Sequence, residues 1–193
     1  WGDLSSNLRD IDVLLADDPS HDAFVAFARA IFRPAVARVG WDARPGEGHL
    51  DSLLRSTVLG QAGSYEDTEV LGQARDRFAQ FLTDPSKVHP DIRSAVFGLA
   101  GQKGDRTTYD QLWTLENEAT LQEEKLRLLM AVTRFSDQEL LLETLKRSLS
   151  ADVRIQDAIF VVSGVGANRQ GRDLAWEFVK DNWTEFDRRY GSG

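Results

Sequence analysis

The sequence predicts an all-α fold, a right-handed α-α superhelix of antiparallel helical hairpins. Three observations carry this. Apolar residues recur at steps of three and four along most of the chain, helix-start signals precede those stretches, and candidate hairpins open at near-regular separations. Steps of three and four bring side chains to one face of a helix, where they can be buried together. The alternation that marks a half-buried strand is almost absent.

Taken in order, the periodicity predicts helices near 4–16, 21–39, 49–62, 66–82, 90–101, 107–117, 120–134, 137–149, 152–163 and 170–189. Leu50, Leu53, Leu54 and Val58 share one face, as do Val70, Leu71, Ala74, Phe78, Phe81 and Leu82. Leu141, Leu145 and Leu149 repeat the pattern, then Leu174, Phe178 and Trp183. One run, Ala158-Ile159-Phe160-Val161-Val162, is β-branched enough for a buried strand, although Ile155, Ile159 and Val162 also share a helical face. Pro34 is expected to break or kink the second helix, because proline lacks the amide that the ladder needs.

Punctuation agrees. Thr120-Leu121-Gln122-Glu123 and Ser136-Asp137-Gln138-Glu139 match the capping box, with weaker versions at Ser64–Asp67 and Thr107–Asp110. Pro90 suits a first helical turn. Gly40, Gly63 and Gly101 follow periodic stretches and are expected to end them in the left-handed conformation. Joining loops are short, so consecutive helices are expected to pack antiparallel.

Hairpins open near residues 49, 90, 120 and 151, at separations of 41, 30 and 31 residues, close to the unit size of helical-hairpin solenoids, and a HEAT/armadillo-like stack is expected. The units share architecture but little sequence. A closed bundle is the alternative; the loop lengths and spacing favour the stack, which buries each hairpin's apolar face against the next and leaves a curved inner surface.

The composition narrows the function. With 193 residues, 41% hydrophobic and 28% charged, the chain can bury a sizeable core and reads as one domain or a large part of one. Acids outnumber bases 31 to 23, for a net charge of −8, which disfavours nucleic acid and anionic membrane as partners. There is no cysteine, so disulfides, thiolate zinc sites and a cysteine nucleophile are excluded, and a cytoplasmic, reducing compartment is the expected location. No apolar run is long enough for a membrane span, and Trp1-Gly2-Asp3-Leu4 does not read as a signal peptide. Met130 is the sole methionine, so the chain is expected to begin inside a longer parent or to be processed. Gly191-Ser192-Gly193 reads as a short flexible end, native or added.

No catalytic, cofactor-binding or metal-binding residue is expected. His21, His49 and His89 are far apart, and no H-E-x-x-H, G-x-S-x-G, phosphate loop or G-x-G-x-x-G occurs. Gly98–Gly101 and Gly164–Gly166 read as helix ends. Asp10, Asp12, Asp17 and Asp18 lack the loop spacing of a calcium site and read as a solvated face. Trp41, Trp113, Trp176 and Trp183 need burial or a partner. Trp176 and Trp183, seven residues apart, read as core packing between hairpins ahead of a peptide-binding stripe.

Several stretches resemble one family. Val39-Gly40-Trp41, then Pro45-Gly46-Glu47-Gly48-His49 and Leu53-Leu54-Arg55, resemble the "L-G-W … G-E … L-L-R" segment in the C-terminal domain of zinc aminopeptidases of the puromycin-sensitive and endoplasmic-reticulum type. Ala74 with Phe78 resembles its "A … F" helix and Pro90-Asp91-Ile92-Arg93 its "P-D-(I/L)-R" helix start. Val153-Arg154-Ile155-Gln156-Asp157 resembles "(V/I)-R-x-Q-D". Asn168, Gly171-Arg172, Ala175-Trp176-Glu177-Phe178 and Asn182-Trp183 resemble "N … G-R … A-W-x-F … N-W".

The resemblance implies that residues 1–193 form part of one C-terminal aminopeptidase domain, with lead-in helices over 1–38 and hairpin repeats over 39–190. It implies a non-catalytic piece that packs on the catalytic domain of the same parent chain, covers the active-site cavity and limits peptide access through its concave face. The parent is expected to remove N-terminal residues from peptides with a zinc held elsewhere; none of the zinc ligands has a counterpart here. The family domain runs on past the N-W segment, so the last helix is expected either to be covered or to leave an exposed apolar edge. Arg154 and Asp157, three apart on a helix, are expected to bridge, and Arg172 to reach a neighbour. The alternative is a freestanding helical-repeat module that binds a protein partner.

Overall fold

The computed structural model describes residues 1–191; Ser192 and Gly193, the end of the expected flexible tail, lie outside the described residues. Among the described residues there are eleven α-helices, one 3-10 turn and no strand. The helices are α1 (Gly2–Leu14), α2 (His21–Val39), α3 (His49–Ser64), α4 (Thr68–Thr83), α5 (Pro90–Gln102), α6 (Arg106–Glu118), α7 (Gln122–Val132), α8 (Gln138–Ser148), α9 (Ile155–Gly166), α10 (Arg172–Asp181) and α11 (Trp183–Tyr190). The 3-10 turn, Pro85–Lys87, precedes α5. The all-α class is therefore observed, and the ambiguous run at 158–162 lies inside α9.

The helices divide into two compact units, Trp1–Ala100 and Gly101–Gly193, with the boundary inside α5. In the first, α1 packs on α2, α2 on α3 and α3 on α4. Its core holds Phe32, Val58, Leu59, Ala62 and Phe97 with no or almost no exposed surface. Phe78 and Phe81 meet Phe97 edge-on, at 6.1 and 4.9 Å between ring centres, a geometry that aligns the positive rim of one ring with the negative face of the other. In the second unit α6 packs on α7, α8 on α9 and α9 on α10, and alternate helices also pack, α7 on α9 and α8 on α10. Contact between alternate helices lets successive hairpins share one core, the physical basis of a helical-repeat stack. Tyr109, Leu112, Phe135, Leu141 and Leu145 fill it.

Local chemistry differs from expectation at several ends. Aspartates, not hydroxyls, cap α4, α6 and α8. Asp67 accepts from Val70 N at 3.1 Å, Asp105 from Thr108 N at 3.0 Å, and Asp137 from Glu139 N and Leu140 N at 2.8 and 3.3 Å. A carboxylate satisfies an orphan amide and also carries charge suited to the helix N-terminus. The box expected at Thr120 does not form: α7 starts after Leu121 with no side-chain cap. Gly40 does follow α2 with a positive φ of +60°, but its ψ of −168° is extended and not the left-handed helical value that was expected. Gly63 and Gly101, however, lie inside α3 and α5 and end nothing. They serve close approach instead. A Cβ on Gly63 would sit 2.5 Å from a Leu99 methyl, and one on Gly101 would sit 2.4 Å from the Ala131 carbonyl oxygen.

Pro34 does not break α2, which runs unbroken to Val39. Beyond the proline, Ala35 and Val39 pack with Val58 in one buried cluster, and that burial offsets the missing ladder bond. The helix expected over 170–189 splits at Asn182, whose side-chain amide donates back to Phe178 O at 2.8 Å. The exposure of Trp176 and Trp183, 63% each, overturns their core reading, and the break at Asn182 removes the single continuous helix that the two-turn spacing presumed. Leu50 and Leu53 are exposed as well, while Val58 on the same helix is fully buried.

Candidate functional site

The segment between α2 and α3 turns on Gly40 and places Trp41 indoors, 7% exposed. Arg55, on α3, is 2% exposed. Its Nε and Nη2 donate to Val39 O at 3.3 and 3.2 Å, and it is ion-paired with Glu47. A buried guanidinium is tolerated only when paired and hydrogen-bonded in this way. The bond from Arg55 in turn holds the Glu47 carboxyl below its usual range. The matched residues Gly40, Trp41, Glu47 and Arg55 are thus one joint, in which a cation on α3 ties down the end of α2 and the turn that follows.

Above Trp41 lies Arg77 of α4, its guanidinium 4.6 Å from the ring centre, a cation–π stack. Arg77 Nη2 is 3.5 Å from Asp42, a carboxylate 89% exposed. Two cavities flank this stack. One, of about 570 Å³, is bounded by Arg33, Asp67 and Glu69. The other, of about 420 Å³, is bounded by Lys87, His89 and Arg93. Both are walled by Trp41, Asp42 and Arg77. The indole N–H of Trp41 is buried with no acceptor. Arg93 is tied down, donating to Val88 O and Pro85 O at 3.0 Å and lying over the Phe81 ring.

In the second unit the matched polar residues also serve joints. Buried Asp157 accepts from Arg154 Nε at 2.8 Å, the expected bridge, and from Gln122 Nε2 of α7 at 2.9 Å. Asn168 donates from Nδ2 to Thr133 O and Phe135 O, at 2.9 and 2.8 Å, closing the end of α7. A Cβ on Gly171 would lie 2.6 Å from Val165 O. Arg172 opens α10 and is exposed. Trp113, 3% exposed, has an arginine over its ring as Trp41 does: Arg147, at 4.7 Å. Arg147 Nη2 and Arg106 Nη1 both donate to Glu143, at 3.0 and 2.7 Å. Burial raises the Glu143 pKa, but the bonds from the two arginines outweigh it and hold the carboxyl below its ordinary range. Tyr109, whose hydroxyl is 3.0 Å from Thr144 Oγ1, is pushed up by burial.

The histidines are not brought together. His21 Nε2 lies 2.9 Å from Asp12, His49 opens α3, and His89 precedes α5 with Asp91 3.5 Å away. Among the described residues no group of three or more potential ligands is arranged to hold a metal, so the residues present do not fit a zinc centre. No helix among them is long and apolar enough to cross a membrane. The cavities around Trp41 had no signature in the sequence. Arg77, Lys87 and Arg93 come from three separate elements, and only the turn pattern around Trp41 pointed near the place.

Hairpins that share a core through alternate helices, with buried charges devoted to their joints, define a helical-repeat domain. The family model described as "ERAP1-like C-terminal domain" matches residues 1–193, and the chain belongs to that family. Among curated relatives, Aminopeptidase M1-A of Oryza sativa subsp. japonica is 37% identical over 155 residues, covering 78% of this chain and 17% of the relative. Aminopeptidase M1 of Arabidopsis thaliana is 34% identical over 172 residues, 86% of this chain and 19% of the relative. Puromycin-sensitive aminopeptidase of Caenorhabditis elegans is 25% identical over 195 residues, 99% of this chain and 20% of the relative. The chain therefore spans about a fifth of the length of these relatives.

Proposed function

We propose that this chain is the non-catalytic C-terminal part of a zinc metallo-aminopeptidase, where it covers the active-site cavity and limits which peptides enter. The parent hydrolyses N-terminal residues from peptides, and its zinc is held by residues outside this chain. The observation that carries the reading is the whole-chain family match, joined to relatives named as aminopeptidases of which this chain spans about a fifth. The wide separation of His21, His49 and His89 supports the assignment of catalysis to another part of the parent.

On this reading residues 1–193 belong to one domain, with lead-in helices over 1–38 and repeats over 39–190 stacking as a right-handed superhelix. Its partners are the catalytic domain of the same chain and the peptide on the concave face, in the cytoplasm. A freestanding protein-interaction module is the second reading, favoured by the exposed rings of Trp176 and Trp183.

Two measurements test this. The chain expressed alone is expected to hydrolyse no aminoacyl-arylamide and to bind no stoichiometric zinc; either activity or zinc overturns the proposal. The reading frame preceding Trp1 is expected to encode H-E-x-x-H, and a parent without it leaves the interaction module as the answer.

A further inference from the structure

We propose that the outer face of α9 seats an apolar helix from the rest of the parent chain, outside residues 1–193. The inference rests on the proposed function only in requiring a longer parent. Ile155, Ile159 and Phe160 are between 43 and 56% exposed, and the steps of four and five that separate them from Ile155 keep them on one side of the helix. The other exposed residues of α9 are Gln156 and Ser163.

α9 is therefore uncharged on its outer side as well as its inner one. Its one charged residue, Asp157, is buried and held by Arg154 and Gln122. Ala158, Val161, Val162 and Val165 fill the inner face. Every other helix of the second unit exposes at least one acid: Asp110 on α6, Glu123 on α7, Glu139 on α8, Asp173 on α10 and Asp187 on α11. A helix that is hydrophobic all round belongs inside a protein, because water on any side of it meets apolar surface.

The stack indicates what covers it. α9 packs on α7 and α10 on α8, so each helix is met by the one two places further on. α11 stands two places after α9 but is tied to its start: Tyr190 Oη donates to Ile155 O, and Arg189 Nη2 to Leu149 O at 2.8 Å. Ile159 and Phe160, a turn further along, stay exposed. The missing neighbour is thus a helix with an uncharged face. Partners that come and go meet through surfaces about as polar as the rest of a protein, whereas permanent contacts are more apolar. A permanent neighbour is at hand in the parent, since this chain spans about a fifth of its relatives. A second copy of the chain is the competing occupant.

The test places a thiol on the face within the full-length parent. Phe160→Cys is compared with Lys146→Cys, an exposed position on α8, and maleimide labelling at each is read by peptide mass spectrometry in the native parent and in urea. The thiol at 160 is expected to react at least about tenfold more slowly than that at 146 in the native parent, because a packed face must open before it reacts, and equally fast in urea. Ile159→Cys is expected to repeat the protection, so a single variant that disturbs the packing does not decide the result. Equal native rates at 146, 159 and 160 overturn the inference, and so does protection that vanishes on dilution to the monomer, which identifies a second copy. Hydrolysis of an aminoacyl-arylamide by the same samples reads the proposed function separately. An active parent with unprotected thiols overturns the inference alone, and an inactive parent with protected thiols sustains it while overturning the aminopeptidase reading. A reading frame with no chain beyond residues 1–193 overturns both.

Discussion

Trp41 and Trp113 carry the same device in the two units. Each is a buried indole with an arginine stacked over the ring, at 4.6 and 4.7 Å. Their surroundings differ. Arg147 over Trp113 is clamped by Glu143, which also holds Arg106, and Asp152 lies 3.7 Å away. Arg77 over Trp41 has only the exposed Asp42 and a long contact to Gln73, with a cavity on either side. Identical stacks therefore do different work. A shared carboxylate and full packing turn one into a fixed strut, while weak, exposed partners leave the other able to exchange contacts.

The comparison can be broken at the rings themselves. Trp113→Ala is expected to destabilise the chain by about 3–5 kcal/mol in urea unfolding, as for other large aromatic truncations in a filled core. Trp41→Ala is expected to cost about 2 kcal/mol, because space already borders that ring. Equal losses would show that the cavities do not relax the first site. Next come the glycines. Gly101→Ala drives a methyl onto a backbone carbonyl that cannot retreat, for about 3 kcal/mol; Gly63→Ala meets only the Leu99 methyls, which can turn aside, for about 1 kcal/mol. Hydrogen exchange resolves which unit each change loosens.

Smaller effects concern the carboxylates. Glu143→Gln is expected to cost about 1 kcal/mol, since one group serves two arginines, whereas Asp42→Asn stays within ~0.5 kcal/mol. Acid gives the last and most graded comparison. The Glu143 carboxyl titrates below its ordinary 4.5 in the folded chain, so its contribution is complete above 4.5 and is lost as pH falls through the lower folded value. The Trp113 indole resonance is expected to follow that titration, and Glu143→Gln to abolish the response. A response that survives the substitution means that another group drives it.

Much of this was legible in the sequence. The helices were placed by steps of three and four, and Gly40, Trp41, Glu47 and Arg55 were visible as a pattern before Arg55 was seen to anchor Val39 and Glu47. The Arg154–Asp157 bridge was readable because both partners sit on one helical turn. Arg77 over Trp41 was not, because the stack exists only once α4 is laid beside the α2–α3 turn. Trp176 and Trp183 were misread because the periodicity argument presumes an unbroken helix, and Asn182 interrupts it. Gly63 and Gly101 were misread for a related reason: a glycine wanted for contact with a distant chain segment looks the same in sequence as one wanted for a turn.

The joints differ also in how far along the chain they reach. Arg55 finds Val39 and Glu47 sixteen and eight residues back, whereas Asp157 takes Gln122, and Asn168 takes Thr133, from 35 residues back. On the ribosome the first joint closes almost as soon as its stretch emerges, at little entropic cost. The later ones wait while a further hairpin is made, about 2–7 s at ordinary elongation rates. During that interval the newborn C-terminal half displays apolar helix faces without their polar fasteners, and it is there that a holding chaperone has most to grip.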